Sequence, residues 1–342
     1  MPDDGAVQLS YVYRVTKYDP ADRDEHGAYT GTEDTVSDHG EVEASYLRAV
    51  AAFAADTGVG QLAVREPGIP SGVHFGVEPA VDGFGLDGLF PADLAGFHDG
   101  AEVSLDVGLL LVRAMLRDNG VWCRLEVEGT FAVHVGWDQY LYIGSSLPCE
   151  EAVARTRALG LFPERMASSP YAFGDTEEEG IQRPGDDDFW AGVHQAVVDG
   201  RAGILEELYV EGAPRWHTLT PATLAAVRAG LAPRARVAVW PSLSTDVDTV
   251  LEGLPADGGL VEGVWQDHDG TLHSGIADED EYPELIARMS GARAAALLSV
   301  YVEVRMPLCT AVMPDDDGVL RARWRNEPTP DDLDWALRRP RG

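Results

Sequence analysis

Two strand-patterned segments, Val121–Val127 and Phe131–Val135, constrain the fold more than any other part of the chain. In both, apolar side chains alternate with polar or small ones, which is typical of strands with one buried face. A two-residue connection would mix polar and apolar side chains on both faces. A three-residue connection, residues 128–130, pairs Val127 with Phe131 and gives one wholly apolar face. The sequence therefore predicts an antiparallel hairpin with a three-residue loop.

Helix-patterned and strand-patterned segments are mixed along the rest of the chain. Apolar residues at helical spacing predict a helix over residues 43–56, and Ser104 is a suitable N-cap for a second helix. In the second half we predict a long helix over residues 283–298 and strands over residues 300–306 and 319–325. Hairpin turns mixed with helices predict an α+β fold, with two mixed α/β domains that contain largely antiparallel sheets and flanking helices.

A segment rich in turn formers and like charges divides the chain near its middle. Residues 171–187 contain three consecutive glutamates, and a run of three aspartates begins at Asp186, without apolar periodicity. The two sides are equally acidic, with a net charge of −16 over residues 1–170 and −16 over residues 171–342. We predict an N-terminal domain over residues 1–170, an acidic linker over residues 171–187 and a C-terminal domain over residues 188–342.

The chain is strongly acidic, with 58 acidic and 26 basic side chains among 342 residues and a formal net charge of −32. This charge repels phosphate backbones and anionic membranes, so nonspecific binding of nucleic acid by the whole surface is not expected. Lys17 is the single lysine, a usage that either a GC-rich genome or adaptation to high salt would produce. We predict a binding or regulatory protein whose partner is basic, such as an inhibitor or immunity protein.

Targeting, cysteine and cofactor signals are all weak. The opening residues, Met1-Pro2-Asp3-Asp4, are acidic where a secretion signal requires positive charge, and no apolar run of about eighteen residues occurs. Cys123, Cys149 and Cys309 are far apart and lack the C-x-x-C spacing of a metal or redox site. We therefore expect a cytoplasmic protein with reduced cysteines, no membrane segment and no cofactor.

The first long loop contains the acidic spacing of a calcium loop. Asp22, Asp24 and Glu33 stand where such a loop places oxygen ligands. His26 occupies another ligand position, where calcium requires oxygen, and a strand pattern rather than a helix precedes the loop. Asp22, Asp24 and Glu33 are candidate metal ligands, but the pattern favours an acidic surface loop without a metal.

The predicted hairpin places three side chains with acid–base chemistry on one face. Arg124 and Glu126 belong to its first strand and His134 to its second. A carboxylate beside an imidazole raises the imidazole pKa, which suits general acid–base catalysis. Three such side chains on neighbouring strands more often form a cross-strand salt bridge on an exposed or helix-covered face. Arg124, Glu126 and His134 are thus the candidate catalytic residues of an alternative, enzymatic interpretation.

The C-terminal region reverses the sign of the charge. Arg321, Arg323 and Arg325 alternate with apolar residues, so a strand would present all three on one face, and Trp324 is available for stacking. These four residues are the candidate binding residues of a second alternative, in which the protein binds RNA. Pairing of the arginines with acids of the same chain, such as Glu303, is the competing and favoured interpretation.

Two runs near the N-terminus carry a family resemblance. They are Tyr18-Asp19-Pro20-Ala21-Asp22-Arg23-Asp24-Glu25-His26-Gly27 and Asp34-Thr35-Val36-Ser37-Asp38-His39-Gly40. They resemble a family of uncharacterised proteins from GC-rich actinobacteria, over mainly the first sixty residues of this chain. Some members carry an RNA-binding label, so the resemblance implies RNA binding as one expectation. It brings no catalytic residues.

Overall fold

The part of the chain that the structure describes contains seven α-helices and fourteen strands, and the strands form three antiparallel sheets. The structure is a computed structural model, and it describes residues 9–26, 28–31, 40–69, 85–117, 120–136, 140–169, 183–256, 258–301 and 304–322. The predicted α+β class with largely antiparallel sheets is confirmed. In the same part of the chain, no helix is both long enough and apolar enough to cross a membrane.

The chain divides into two compact units. Unit 1 comprises Met1–Thr176 and Val210–Ala213, and unit 2 comprises Glu177–Tyr209 and Pro214–Gly342. The predicted linker over residues 171–187 falls largely outside the described residues, and its described end leads into a helix that begins at Asp187.

Unit 1 contains a seven-stranded sheet, a short 3₁₀ turn at Pro20–Asp22 and three helices. The elements in chain order are β1 (Tyr11–Thr16), α1 (Glu41–Thr57), β2 (Gln61–Gly68), β3 (Glu102–Ser104), α2 (Leu105–Leu116), β4 (Trp122–Val127), β5 (Phe131–Val135), β6 (Leu141–Ser145), α3 (Glu150–Ala158) and β7 (Phe162–Met166). The strand order is β3-β2-β4-β5-β6-β1-β7.

Helices α1 and α2 pack on one face of this sheet. The Phe53 ring of α1 lies 5.2 Å from the Tyr13 ring of β1, centroid to centroid. Gly108 of α2 approaches Leu62 of β2 so closely that a Cβ at position 108 would lie 2.6 Å from a Leu62 methyl carbon. The core of unit 1 therefore lies between these helices and one face of the sheet, which leaves the opposite face to polar side chains.

The local signals of unit 1 are confirmed. Strands β4 and β5 form the predicted hairpin, with Val127 opposite Phe131 and Leu125 opposite Val133. The Ser104 hydroxyl caps α2 by accepting a hydrogen bond from the backbone N–H of Val107 at 3.3 Å. Both features depend on residues close together in sequence, where spacing alone determines the geometry.

Unit 2 contains a four-stranded and a three-stranded sheet. Its elements in chain order are α4 (Asp187–Val198), β8 (Ile204–Leu208), β9 (Arg215–Thr218), α5 (Leu224–Gly230), β10 (Arg236–Trp240), α6 (Val247–Glu252), β11 (Val261–Gln266), β12 (Leu272–Ala277), α7 (Tyr282–Met289), β13 (Ala294–Ser299) and β14 (Cys309–Val312). The strand orders are β14-β10-β8-β9 and β12-β11-β13.

The two sheets of unit 2 pack face to face between two helical layers. Helices α4 and α5 share an apolar cluster with one face of the four-stranded sheet. The other face of that sheet packs on the three-stranded sheet, where Ile204 and Trp240 meet Val264. Helices α6 and α7 cover the outer face of the three-stranded sheet. Unit 2 is thus a four-layer sandwich of helices, sheet, sheet and helices.

Three predicted elements of the second half are wrong where the structure describes them. The predicted helix over residues 283–298 ends at Met289, and the alanine-rich remainder forms strand β13, which pairs with β11. In the predicted strand over residues 300–306, the Tyr301 carbonyl accepts from the N–H groups of Val304 and Arg305, which makes a turn. Residues 319–322 of the predicted strand 319–325 are not in a strand.

Candidate functional site

A row of polar side chains crosses the face of the unit 1 sheet that is turned away from α1 and α2. Strand register places Arg65 opposite Arg124, His134 opposite Tyr142, and Arg14 opposite both Tyr142 and Glu164. We call these residues the polar row; its members are Arg65, Arg124, His134, Tyr142, Arg14 and Glu164. Most of them are largely buried, so each charge requires a nearby partner.

The β2–β4 side of the polar row is electrically balanced. Arg65 Nε lies 3.0 Å from Asp99 Oδ1, and Arg124 Nε lies 3.2 Å from Glu66 Oε2. The Asp99 side chain is only 2% exposed and also accepts a hydrogen bond from the backbone N–H of Glu66. Each guanidinium on this side therefore has its own carboxylate.

The predicted catalytic trio lies on this face, but its histidine has an environment unsuited to acid–base work near neutral pH. His134 is buried and stacks on Tyr142, with ring centroids 5.3 Å apart and planes at 13°. Burial lowers the pKa of His134 to about 3, and the positive charge of Arg124 acts in the same direction. Glu126 lies two residues after Arg124 on β4, opposite Ala63 of β2 and Ala132 of β5. The imidazole is thus neutral at physiological pH.

Of the candidate calcium ligands, Asp24 serves the local backbone. Asp24 Oδ1 accepts hydrogen bonds from the backbone N–H groups of His26 and Ala28, both at 2.9 Å. Asp22 is exposed, and Glu33 lies outside the described residues. Across the part of the chain that is described, no group of three or more His, Cys, Asp or Glu side chains is arranged to hold a metal ion.

Arg321 is held by acids of its own chain. Its Nη1 lies 2.7 Å from Asp315 Oδ2, and its Nη2 lies 2.6 Å from Asp317 Oδ2. The hydrogen bond from Arg321 is the main cause that lowers the pKa of Asp317 to about 2. Arg323, Trp324 and Arg325, the other candidate binding residues, lie outside the described residues.

The helices α6 and α7 carry a dense group of exposed acids. Residues 244–293 contain twelve acidic residues and two arginines in the sequence. Eight of these acids are exposed. Three lie at the start of α6 or on it, four directly precede α7, and one lies in the first turn of α7. We call them the acidic layer; they are Asp246, Asp248, Glu252, Asp278, Glu279, Asp280, Glu281 and Glu284.

The fold gives the acidic layer little internal compensation. None of its eight carboxylates forms an ion pair with another described residue. Arg288, the base on α7, instead lies over the Trp265 ring, with its guanidinium carbon 4.9 Å from the ring centroid. The carboxylates of Asp246 and Asp278 accept hydrogen bonds from backbone N–H groups near the starts of α6 and α7. The negative charge of the layer therefore faces solvent.

Unit 2 also contains a buried ionic network that the sequence analysis missed. Arg305 Nη2 lies 2.9 Å from Glu206 Oε1 and 2.8 Å from Glu262 Oε2, between the two sheets. The Trp240 indole N–H donates to Glu206 at 3.1 Å. Burial raises the pKa of Glu262, an effect that the charge of Arg305 opposes. A cavity of about 20 Å³, room for about one water molecule, adjoins Glu206 and Arg305.

The adjacent glutamate is buried on the other side of the same strand. Glu207 is fully buried; one oxygen accepts from the Ala232 backbone N–H at 2.6 Å, and the other lies 2.8 Å from His217 Nε2. Two consecutive glutamates within the apolar segment Ile204–Leu208 were the sequence signal for these buried acids. Both carboxylates have structural partners within the fold.

The comparisons with known proteins give no relative. No protein-family model, no curated protein and no solved structure matches the chain.

Proposed function

We propose that the protein binds a basic protein partner through the acidic layer of unit 2. The observation that carries this proposal is the cluster of exposed carboxylates on α6 and α7 that form no ion pair with a described residue. Like charges held close together destabilise the compact state, and a partner of opposite charge relieves that repulsion when it binds.

The kind of partner follows from the chemistry of the layer. Carboxylates accept hydrogen bonds from arginine and lysine side chains, and a field of one sign accelerates the encounter with a protein of the opposite sign. An inhibitor or immunity protein that covers the basic substrate-binding face of a nuclease, in the cytoplasm, is the concrete form that we propose. Binding of this type weakens as salt rises, because exposed charges are screened over about 8 Å at physiological ionic strength.

A charge-neutralised variant tests the proposal. Asp248, Glu279, Asp280 and Glu284 are exposed, and their carboxylates make no hydrogen bond or ion pair with described residues. Replacing all four by the corresponding amides removes four charges while preserving side-chain shape. We expect the immobilised wild type to capture a basic protein from cell extract at low salt, identified by mass spectrometry. The variant should then bind the purified partner at least about tenfold more weakly.

A matched control separates a specific surface from general charge. Glu102, Asp106, Glu128 and Glu150 are exposed acids of unit 1, and their change to amides alters the net charge by the same amount. We expect this control to bind the partner like the wild type, whereas polylysine, a nonspecific cation, should respond equally to both variants. Equal loss of partner binding in both variants, or salt-insensitive binding, would contradict the proposal.

A further inference from the structure

Arg23 lies beside the β1–β7 side of the polar row and gives this region more positive than negative charge among the described residues. Arg14 Nη2 lies 2.7 Å from Glu164 Oε2, and Arg23, from the segment after β1, places Nη1 at 3.4 Å from the same oxygen. Two guanidiniums thus share one carboxylate. On the β2–β4 side, by contrast, Arg65 and Arg124 each have a carboxylate of their own.

The two arginines also have buried N–H donors without an acceptor among the described residues. Arg14 Nε, Arg23 Nε and Arg23 Nη2 are buried and have no hydrogen-bond partner in the part of the chain that the structure describes. The Arg23 side chain is only 7% exposed. A buried charged donor without an acceptor costs about 1–3 kcal/mol or more, so a cluster of such donors requires an explanation.

A tyrosine ring, Tyr140, explains part of this arrangement. The guanidinium carbons of Arg14 and Arg23 lie 5.7 and 5.6 Å from the centroid of the Tyr140 ring. The Tyr18 ring contacts both Tyr29 and Tyr140, with centroids 4.6 and 6.3 Å away. The Tyr140 ring stabilises both cations through its face, but a ring face is a weaker acceptor than an anionic oxygen.

We propose that Arg14 and Arg23 form a binding site for a phosphate group, either free or carried on a small ligand. A phosphate offers several anionic oxygens, and the planar N–H groups of two guanidiniums match them in number and direction. Glu164 occupies part of the site as an internal anion. Its side chain is 37% exposed, so it can move aside while Arg23 stays buried.

Phosphate titration of the full-length protein tests the site. Isothermal calorimetry with inorganic phosphate, and separately with a phosphate monoester, distinguishes a free anion from a carried one. We expect saturable binding of at least one of them, and a loss of at least about tenfold in affinity for Arg23→Gln. Arg48→Gln is the matched control, because Arg48 is an exposed arginine on α1, and its phosphate affinity should equal that of the wild type.

A second variant, Glu164→Gln, should increase the phosphate affinity. This test remains valid even if Arg23→Gln does not fold. Glu164→Gln removes the competing carboxylate and releases both guanidiniums, so phosphate should bind several-fold more tightly. A purely structural role for the cluster predicts no such gain. The proposal is overturned if the wild type shows no saturable phosphate binding, if Glu164→Gln fails to tighten it, or if acetate binds as tightly as phosphate.

Discussion

Arg305 and Glu262 form a buried ion pair between the two sheets of unit 2, with 2.8 Å between Arg305 Nη2 and Glu262 Oε2. Only 6% of the Glu262 side chain is exposed, and the same guanidinium also holds Glu206. Because two desolvated carboxylates depend on one cation, we expect removal of the Arg305 guanidinium to destabilise unit 2 strongly.

We expect Arg305→Ala to lower the free energy of unfolding of unit 2 by about 3–5 kcal/mol, because it leaves two buried carboxylates without their cation. Chemical denaturation followed by tryptophan fluorescence measures the loss, since the Trp240 indole contacts Glu206. Arg293→Ala, which removes an exposed arginine near the same sheet, should change the free energy by about 0.5 kcal/mol or less. A loss of less than about 1 kcal/mol for Arg305→Ala would contradict the interpretation.

The buried imidazole of His134 should make unit 1 less stable in mild acid. Its pKa is about 3 in the folded state against the ordinary value of 6.5, so between these values the unfolded chain binds a proton that the folded protein does not. Stability therefore falls as pH decreases from 6.5 towards 3, by at most about 1.4 kcal/mol per pH unit. The variant His134→Phe, which retains a ring against Tyr142, should lack this contribution.

Denaturation of wild type and His134→Phe near pH 7 and about pH 5 measures the difference in slope. An NMR titration of the His134 ring provides an independent check. Protonation of the folded-state imidazole at about pH 6 would show that the ring is not held neutral by its surroundings.

Two glycines should respond in opposite directions to substitution by alanine. A Cβ at Gly263 of β11 would lie 2.6 Å from Met289 Sδ and 2.9 Å from a Leu285 methyl carbon of α7. Gly263→Ala should therefore destabilise unit 2 by about 1–3 kcal/mol through overpacking. Gly192 lies within α4 with nothing within 4 Å of the added carbon, so Gly192→Ala should stabilise by about 1 kcal/mol.

Thermal unfolding of the two alanine variants against the wild type provides the measurement. If both substitutions change the stability equally, or if Gly263→Ala is as stable as the wild type, then α7 does not approach β11 as closely as the position of Met289 Sδ indicates.

The ion pair between Asp317 and Arg321 should be visible in the titration of the carboxyl group. The pKa of Asp317 is about 2 against the ordinary value of 3.8, and the hydrogen bond from Arg321 is the main cause of this shift. Since the folded-state pKa is lowered, the pair contributes stability above 3.8 and loses it as pH falls towards 2. In Arg321→Gln, carbon-detected NMR should show the pKa of Asp317 returning towards 3.8. An unchanged pKa would contradict the pairing.

Local sequence signals predicted local structure correctly. The register of the β4–β5 hairpin and the Ser104 cap each depend on residues only a few positions apart. The helix predicted over residues 283–298 shows where such signals fail. Alanine and leucine between Ala294 and Ser299 have high helix propensity, but pairing with β11 supplies a ladder of backbone hydrogen bonds that overrides it.

For the candidate sites, too, the sequence predicted local features and missed contacts between residues that are distant in the chain. The hairpin pattern predicted that Arg124 and His134 share a face, because both belong to one local motif. It could not predict Tyr142 beside His134, or the sharing of Glu164 by Arg14 and Arg23, since Arg14 and Glu164 are 150 residues apart in sequence. The acidic layer likewise requires knowing that α6 and α7 cover the same sheet.

The consecutive glutamates of β8 have a consequence for how unit 2 folds. Glu206 depends on Arg305, which is 99 residues later in the chain, whereas Glu207 depends on Ala232 and His217 on the opposite side of the strand. An intermediate that has packed β8 into a sheet before residues 304–308 arrive carries a desolvated carboxylate without its cation. The uncompensated carboxylate destabilises partly assembled forms. We therefore expect unit 2 to form its sandwich in one cooperative step, in which the contacts of Arg305 are among the last to form.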